Sequence, residues 1–349
     1  MAEITIKEVA QKCGVGVSTV SRALNNHSDI NPETKARIMK VIEETGYIPN
    51  NSARNLKRTD SKTIAVLIKG ITNPFFSPAI EVIEDETRRK KYTMVLRHVG
   101  AYEDEVDVAL ELEKERRLRG IIFLGGGFRK STEKLKSLNV PVVFSTIGAP
   151  LLDNESKAVF STVSVDDMLE SKRMLEHVIG LGHRKIAIIT EGSEELSVGQ
   201  LRLQGYIEAL KAAKIKVDED LIRFVNPNLE HYSVENGYRT TKNLIATGKE
   251  FTALFCVSDM LAIGACRALT DAGYKIPKDV SVCGFDGLGL GQYVTPRLTT
   301  MRQPMMEISR QSIGTLFDII DEVSEHKHIT LACELIQGES VWKPKGSRK

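Results

Sequence analysis

The hydrophobic pattern of residues 1–49 predicts three short helices. On the first helix, apolar residues recur at helical spacing along one face, at Ile6, Val9, Ala10 and Cys13. Thr5 and Glu8 form a capping box, so the helix is expected to begin at Ile6. Gly14 then supplies the left-handed turn residue that ends the helix.

A second short helix is predicted from Val17 to Asn25, three residues after the first. It turns Val20 and Leu24 inward and leaves a mostly polar outer face, made of Val17, Ser18, Ser21, Arg22 and Asn25. The segment Asn31–Glu33 supplies a cap, a proline at the first helical position and an acid, which opens a third helix running to Thr45. The spacing of the first two helices is that of a helix-turn-helix, although other compact helical subdomains share it.

Residues 50–58 form a polar, basic segment, NNSARNLKR, in which Ala53 and Leu56 lie three positions apart. The segment is long enough for about two helical turns, but it holds too little apolar surface to be a stable helix alone. We therefore expect this linker to be disordered in isolation.

From Thr63 onward, apolar runs of strand length alternate with helical segments. The runs are TIAVLIK, TMVLRH, GIIFLG, PVVFS, KIAIIT, ALFCV and SVCGF. This alternation predicts parallel sheets covered on both faces, and two such series in succession predict two Rossmann-like lobes. Ligands of such sheets bind at the carboxyl ends of the strands, so the residues just after each run are the candidates for a site.

Five residues near these ends could line a ligand site. Phe75 and Phe76 follow the first strand and are either core residues or stacking partners for a ligand. Arg202 begins a helix after KIAIIT, where a surface ion pair is the alternative. Ser258 could simply cap a helix, and Asp286 ends a strand, where a turn aspartate is common. Together they would form a ring of aromatic, cationic and acidic groups suited to a hydroxylated ring.

The length of 349 residues predicts two or three domains, and the net charge of +2 permits DNA binding without arguing for it. Five cysteines are spread along the chain, at Cys13, Cys256, Cys266, Cys283 and Cys333. Most of them lie in apolar runs, which indicates buried thiols in a reducing compartment rather than disulfides or metal ligands.

The sequence contains no recognisable motif for catalysis, metal binding or cofactor binding. Gly125–Gly127 has the wrong spacing for a nucleotide fingerprint, and no Lys-Ser/Thr follows it, so we interpret it as a turn. There is no GxSxG, HExxH or paired-cysteine motif, and the seven histidines are scattered.

The amino terminus lacks the apolar core of a signal peptide, and no run approaches the roughly 18 apolar residues of a membrane helix. We therefore expect a cytoplasmic protein without membrane contact.

The amino-terminal motifs ITIKEVAQKCGV, VSTVSRALNN, NPETKARI and GYIPN resemble those of the LacI/GalR family of bacterial regulators. The resemblance implies that the second helix lies in the major groove, with Val17, Ser18 and Arg22 facing the bases. It also implies phosphate contacts from a further set of residues, namely Thr5, Ser21, Asn25, Thr34 and Tyr47.

The same resemblance covers the linker. It implies that Asn50 and Ala53 lie at the DNA and that Leu56 is wedged into a central base step of the minor groove from each half of a dimer. Docking of Leu56 on the large domain is the alternative. A palindromic double-stranded operator and a homodimer follow from the symmetric half-sites of this motif. The carboxyl terminus has no heptad run, so a coiled-coil tetramer is not expected.

The large domain also resembles this family and periplasmic sugar-binding proteins, through GHRKIAIITEG, RLQGYIEAL, SDMLAIGACRAL, IPKDVSVCGFDG and TPRLTTMRQP. The resemblance implies effector contacts from Arg202 and Asp286, and further ones from Phe75, Phe76, Tyr232 and Ser258. Many sugar-responsive members have an aspartate after the strand ending in PVVFS, where this chain has Ser145–Gly148, and some have asparagine at position 258. Ser145 or Thr146 is then the candidate for facing the cleft.

We therefore expect an all-α helix-turn-helix headpiece followed by an α/β domain like a periplasmic binding protein, with two Rossmann-like lobes. The expected boundaries are 1–49 for the headpiece, 50–60 for the linker, 61–340 for the effector-binding and dimerisation domain, about 61–160 with 291–320 for its N-lobe, and about 161–290 with 321–340 for its C-lobe. The expected function is repression under control of a sugar or sugar derivative. A nucleoside- or purine-responsive regulator, a protein corepressor and, least favoured, a solute-binding protein for transport are the alternatives.

Overall fold

A computed structural model describes residues 6–24, 30–45, 62–100, 103–126, 132–148, 159–192 and 197–345. The chain divides into two compact units, residues 1–61 and residues 62–349. Each unit has its own hydrophobic core, and each is described separately below.

The first unit contains the three predicted helices, α1 (Ile6–Cys13), α2 (Val17–Leu24) and α3 (Pro32–Thr45). Gly14 ends α1 with a φ of 62°, as its lack of a β-carbon allows. The side chain of Asn31 caps α3 by accepting a hydrogen bond from the Glu33 amide at 2.9 Å. The buried core consists of Val9, Ala10, Cys13, Val20, Ala23 and Ile38. The helix positions, the turn and this cap are confirmed, whereas Thr5 and its capping box lie outside the described residues.

The described part of the second unit contains twelve strands. They are β1 (Thr63–Lys69), β2 (Thr93–Val99), β3 (Gly120–Leu124), β4 (Val142–Ser145), β5 (Ser161–Val165), β6 (Ile186–Thr190), β7 (Ile222–Phe224), β8 (Ala253–Cys256), β9 (Ser281–Asp286), β10 (Thr299–Arg302), β11 (His328–Leu331) and β12 (Glu334–Ile336). The helices between them are α4 (Ser77–Arg89), α5 (Glu105–Glu115), α6 (Thr132–Leu135), α7 (Asp167–Gly180), α8 (Val198–Ala212), α9 (Val234–Ala246), α10 (Asp259–Asp271) and α11 (Met305–Ile320).

These strands form two six-stranded sheets, one in each lobe. The first-lobe sheet has the order β11-β5-β4-β3-β1-β2 and is parallel throughout. The second-lobe sheet has the order β12-β10-β9-β8-β6-β7, and its pairs are parallel except for β10 with β12. The inner strands β3, β6 and β8 are buried along their whole length, as expected for parallel sheets covered on both faces. The prediction of two Rossmann-like lobes is confirmed.

The chain passes between the lobes three times within the described residues, at Val165–Asp167, Arg302–Met305 and Leu331–Glu334. The predicted lobe boundaries are wrong at each passage. β5 and β11 belong to the first-lobe sheet, and β10 belongs to the second-lobe sheet. The reason is that these three strands are short and carry polar residues, so their membership depends on pairing with distant strands and not on a hydrophobic run.

Candidate functional sites

The outer face of α2 is the candidate nucleic-acid interface. Val17 is 41% exposed, and Ser18 and Arg22 are exposed beside it. Val20 and Ala23 point into the core of the first unit and are fully buried. The separation of a polar outer face from an apolar inner face is therefore confirmed for these residues, and it leaves one guanidinium on the outer face.

The other predicted DNA contacts are only partly within the described residues. Thr34 is half-buried in the first turn of α3, where its amide donates to the Asn31 side chain at 3.3 Å. The side chain of Ser21 lies outside the described residues, as do Thr5, Asn25, Tyr47, Asn50, Ala53 and Leu56. Their contacts with DNA stay predictions.

In the second unit, the carboxyl ends of the two sheets face each other across a cleft. Gly70 follows β1 in the first lobe, and a β-carbon at this position would lie 3.7 Å from Oε1 of Glu230 and 3.8 Å from the Phe76 ring. Glu230 belongs to the second lobe, in the loop between β7 and α9. Gly70 and Glu230 therefore lie near each other across the cleft, at the strand ends where ligands of open α/β sheets bind.

Phe75 and Phe76 lie on the first-lobe side, in a short 3-10 helix that Asn73 caps. They are 7% and 8% exposed, and their rings meet edge to face with centroids 5.2 Å apart. A β-carbon at Gly125, which follows β3, would lie 2.7 Å from the Phe76 ring. Phe76 therefore packs between the ends of β1 and β3, as a core residue at the strand ends of the first lobe.

Ser145 ends the neighbouring strand, β4, and Thr146 follows it directly. The Thr146 amide donates to the Val163 carbonyl at 2.8 Å, and its hydroxyl accepts from the Gly125 amide at 3.3 Å. The Ser145 hydroxyl accepts from Ser312 of α11 at 2.9 Å and is fully buried. Ser145 therefore serves packing of the first lobe, and Thr146 is the residue of the two that lies at the strand ends.

Arg202 lies at the centre of the second-lobe side and is only 5% exposed. Its Nε donates to Asp167 Oδ1 at 2.8 Å, and an Nη donates to the Val257 carbonyl at 2.6 Å. The same Nη lies 3.5 Å from Asp286 Oδ1, and the guanidinium stacks 3.8 Å from the centroid of the Phe285 ring. Although burial disfavours the cation, the charges of Asp167 and Asp286 raise the Arg202 pKa. Arg202 is thus a buried ionic anchor and not a surface ion pair.

Asp286 ends β9 with a φ of 118°, a backbone conformation that few side chains adopt. The Gln303 side chain donates to Asp286 Oδ1 at 3.0 Å, and the Gln303 amide donates to the Asp286 carbonyl at 3.1 Å. Gln303 belongs to the second passage between the lobes, and Asp167 to the first. Arg202 and Asp286 are therefore bonded to two of the three inter-lobe connections.

Asp259, at the start of α10, lies close to Asp286 and is held by two hydrogen bonds. It accepts a hydrogen bond from the Thr300 hydroxyl at 2.6 Å and another from the Leu288 amide at 2.6 Å. Burial raises the pKa of both Asp259 and Asp286, and the charge of Asp286 raises that of Asp259 further. The preceding residue, Ser258, is 1% exposed and caps α10 by accepting from the Leu261 amide at 3.3 Å.

Tyr232 lies beside Glu191, a residue that the sequence reasoning missed. Glu191 directly follows β6, so the rule that ligand residues follow the apolar runs could have found it. Burial raises the Tyr232 pKa, and the nearby charges of Glu191 and Asp286 add to that effect against the opposing charge of Arg202. Asp167 and Gln303 were also missed, because their role depends on contacts with residues distant in sequence.

A separate surface cavity of about 740 Å³ lies at the opposite end of β6, lined by charges of both signs from residues such as Lys185, Asp218, Lys249 and Glu250. It does not adjoin the cleft.

Within the described residues, no cluster of three or more His, Cys, Asp or Glu side chains is arranged to hold a metal, and no helix has the length and apolarity to cross a membrane. All five cysteines are free thiols, and all but the half-buried Cys266 are buried.

Comparison with known proteins gives matches along the whole chain. Residues 5–50 match the model of the bacterial regulatory proteins of the lacI family, and residues 175–341 match a periplasmic binding protein-like domain. The chain is 35% identical to the transcriptional regulator MalR of Clostridium butyricum over 97% of this chain and 99% of that protein. It is 33% identical to the repressor CytR of Escherichia coli strain K12 over 90% of this chain and 89% of that protein.

Solved structures of transcriptional regulators are also similar to this chain. A complex of the transcriptional regulator CelR with cellobiose is 27% identical with a TM-score of 0.71, covering 97% of this chain and 99% of that one. A LacI family regulator from Enterococcus faecium with bound ribose is 26% identical with a TM-score of 0.68, covering 80% and 99%. The lac repressor dimer bound to operator, 22% identical with a TM-score of 0.72 over 98% and 100%, shares the fold.

Proposed function

Since the chain belongs to the LacI family of bacterial transcriptional regulators, we propose that it represses by binding a palindromic operator as a homodimer under control of a small carbohydrate. The observation that carries this proposal is the position of the Arg202 and Asp286 pair. It lies at the strand ends where such sheets bind ligands, and it is bonded to two connections between the lobes. A ligand on this pair can therefore alter the angle between the lobes.

The headpiece supplies the DNA contacts in this proposal. Arg22, exposed on α2, would donate two hydrogen bonds to a guanine in the major groove, while Val17 would meet an apolar group such as a thymine methyl. The predicted phosphate contacts would fix the register of the helix. Leu56 from each protomer would be wedged into a base step, so that displacing the linkers from each other weakens operator binding.

The effector half of the proposal rests on the polar groups of the cleft. Arg202 and Asp286 offer donors and acceptors that suit the hydroxyls of a sugar ring, and Phe76 offers an aromatic ring at the strand ends of the first lobe. The related structures with cellobiose and ribose favour a carbohydrate over a nucleoside. The direction in which operator affinity changes when the carbohydrate binds distinguishes an inducer from a corepressor.

A homodimer follows from the two half-sites of a palindromic operator. Two edge strands support it, because β2 and β7 occupy equivalent positions at the ends of the two sheets. β2 presents Leu96, which is 39% exposed, and β7 presents Phe224, which is 53% exposed. Apolar side chains on the same edge of both lobes suit the self-complementary contact of a twofold dimer.

Enzymatic and transport functions are not favoured. The relatives are regulators of transcription, and a DNA-binding headpiece has no use in a protein that delivers a solute to a transporter. The same relatives support a cytoplasmic location, where the operator lies.

In vitro selection with the full chain tests the proposal. Random double-stranded DNA is incubated with the protein, and the bound fraction is amplified and sequenced. Two inverted half-sites should be enriched. Selection of a single half-site would contradict the dimer, and the absence of any enriched sequence would contradict sequence-specific binding.

A further inference from the structure

Glu191 is a buried carboxylate at the carboxyl end of β6, and it is 8% exposed. Its Oε1 accepts a hydrogen bond from the Gly199 amide at 3.2 Å, in the first turn of α8. Its Oε2 lies 3.5 Å from Nδ1 of His231. Burial opposes ionisation, but the neighbouring polar side chains of His231, Ser197 and Tyr232 more than offset it and hold the pKa of Glu191 below its usual range. Glu191 is therefore kept as an ionised acceptor inside the protein.

The fold makes room for this side chain. A β-carbon at position 199 would lie 2.6 Å from Cγ of Glu191, closer than real side chains approach each other. The carboxylate can therefore lie under the amino terminus of α8 because residue 199 is glycine, and the positive end of the helix stabilises its charge there. A large residue at 199 would displace Glu191.

Tyr232 connects Glu191 with the central pair of the cleft. Its hydroxyl is buried and makes no hydrogen bond of normal geometry, although Glu191 lies close enough for each group to shift the pKa of the other. Arg202 and Asp286 also act on the Tyr232 hydroxyl. The four side chains thus form one polar row along the strand ends of the second lobe, and the row contains a hydroxyl whose hydrogen bonds are not saturated.

Together with its neighbours Asp167 and Asp259, this row contains more carboxylates than cations. The buried carboxylates of Asp167, Glu191, Asp259 and Asp286 lie on the second-lobe side of the cleft, while Arg202 is the buried guanidinium among them. On the first-lobe side, Lys69 is committed to Glu105 at 3.3 Å and to the Glu103 carbonyl at 3.0 Å. Burial raises the pKa of Asp167, Asp259 and Asp286, so protons neutralise part of this charge, whereas Glu191 stays ionised. With one proton shared between Asp259 and Asp286, the ionised carboxylates still outnumber the buried guanidinium.

We propose that Glu191 is a specificity-determining residue of the effector cleft and that, through it, the cleft accepts uncharged carbohydrates and rejects phosphorylated or carboxylated ones. Sugar hydroxyls can donate to Glu191 and Asp286 and can meet the Tyr232 hydroxyl, so a neutral ligand satisfies the row. An anionic substituent would be buried beside ionised carboxylates without a free cation to pair with among the described residues, which is the costly case for a buried charge. This inference rests on the carbohydrate effector proposed above.

Calorimetric titration of the full-length protein with matched sugar pairs tests the inference. The pairs are cellobiose and cellobiose 6′-phosphate, maltose and maltose 6′-phosphate, and ribose and ribose 5-phosphate. The tightest binder should be uncharged and should bind at least about tenfold tighter than its phosphorylated partner. Glu191→Gln keeps the shape and one acceptor oxygen while removing the charge, so it should lower this ratio at least about threefold. Glu250→Gln, at the far end of β6, is the control and should leave the ratio unchanged.

The outcomes separate the inference from the proposed function. Tighter binding of the phosphorylated member overturns the inference but leaves a carbohydrate effector in place. An unchanged ratio in a folded Glu191→Gln variant removes the assignment of specificity to Glu191. Should that variant fail to fold, the ratio in the unaltered protein still decides between uncharged and anionic ligands. Binding of no member of the panel contradicts both the inference and the carbohydrate effector.

Discussion

An Nη of Arg202 lies 3.5 Å from Oδ1 of Asp286 at the strand ends of the second lobe. Each of these residues is also bonded to a different connection between the lobes. Asp167 holds Arg202 immediately after the first connection, and Gln303 holds Asp286 within the second. The third connection is held by Glu170, which accepts a hydrogen bond from the Cys333 amide at 3.0 Å. In the proposed function, a ligand that moves the central pair would therefore act directly on the connections between the lobes.

Asp286→Asn should uncouple the effector from the operator. The substitution keeps the shape of the side chain and a residue type that tolerates the positive φ, but it removes the charge facing Arg202. Since hydrogen bonds to charged groups contribute about 1.5 to 3 kcal/mol, carbohydrate affinity should fall at least about tenfold. Operator affinity without carbohydrate should stay within about twofold. Calorimetry and fluorescence anisotropy measure the two affinities.

Asp271→Asn, at the end of α10 away from the cleft, is the matched control for this experiment. It should change neither affinity. Full retention of the carbohydrate response in Asp286→Asn would show that Asp286 is not an effector contact.

Arg22→Ala should relax base preference at one position of each half-site. A bidentate arginine contributes about 1 to 3 kcal/mol of discrimination against the wrong base, so the preference there should fall about fivefold or more. Competition binding with operators that carry each base at each position measures this. A loss of affinity that is equal for all sequences would instead place Arg22 at a phosphate.

Leu56→Ala should reduce operator affinity and leave carbohydrate affinity unaltered. Without the wedge, the protein no longer offsets the few kcal/mol needed to unstack a base step, so the DNA should be bent less in the complex. Fluorescence energy transfer between dyes at the two ends of the operator reports the bend. An undiminished bend would favour docking of Leu56 on the second unit.

The buried aspartates should make stability depend on pH. Burial raises the pKa of Asp286 to about 7, and burial together with the charge of Asp286 raises that of Asp259 to about 8. The folded protein then holds protons more tightly than the unfolded chain, whose aspartates titrate near 3.8. Their contribution to the free energy of unfolding therefore falls as the pH rises from about 4 to about 8 and levels off above that range.

Asp259→Asn, which mimics the protonated acid, should remove part of this decline. The difference between the variant and the unaltered protein should amount to on the order of 1 kcal/mol per pH unit in that range. Urea unfolding at several values between about pH 5 and pH 8 measures it. Parallel pH profiles for the two proteins would mean that Asp259 stays ionised in the fold.

The features that local sequence determines were predictable. Gly14 and Asn31 mark helix ends by their own conformational and hydrogen-bonding preferences, and runs such as TIAVLIK mark buried parallel strands. The short strands β7 and β12 and the polar strand β5 carry no such pattern. They are strands because a neighbouring strand completes their hydrogen bonds, and no local pattern encodes that neighbour.

The residues of the candidate site also divide into those that local sequence predicts and those that it does not. Asp286 and Ser258 follow apolar runs, so their positions at the strand ends could be inferred from the chain alone. Asp167 acts through Arg202, 35 residues away, and Gln303 acts through Asp286, 17 residues away. These partners emerge only when the three passages between the lobes are folded.

The reciprocal linkage between operator and carbohydrate tests the central claim most directly. Operator affinity is measured with and without the tightest-binding sugar of the panel, and the affinity for that sugar is measured with and without saturating operator. Both ratios should differ from one and should equal each other, because one coupling free energy governs both. An increase in operator affinity identifies a corepressor and a decrease identifies an inducer. Two ratios equal to one would contradict control of the headpiece by the cleft.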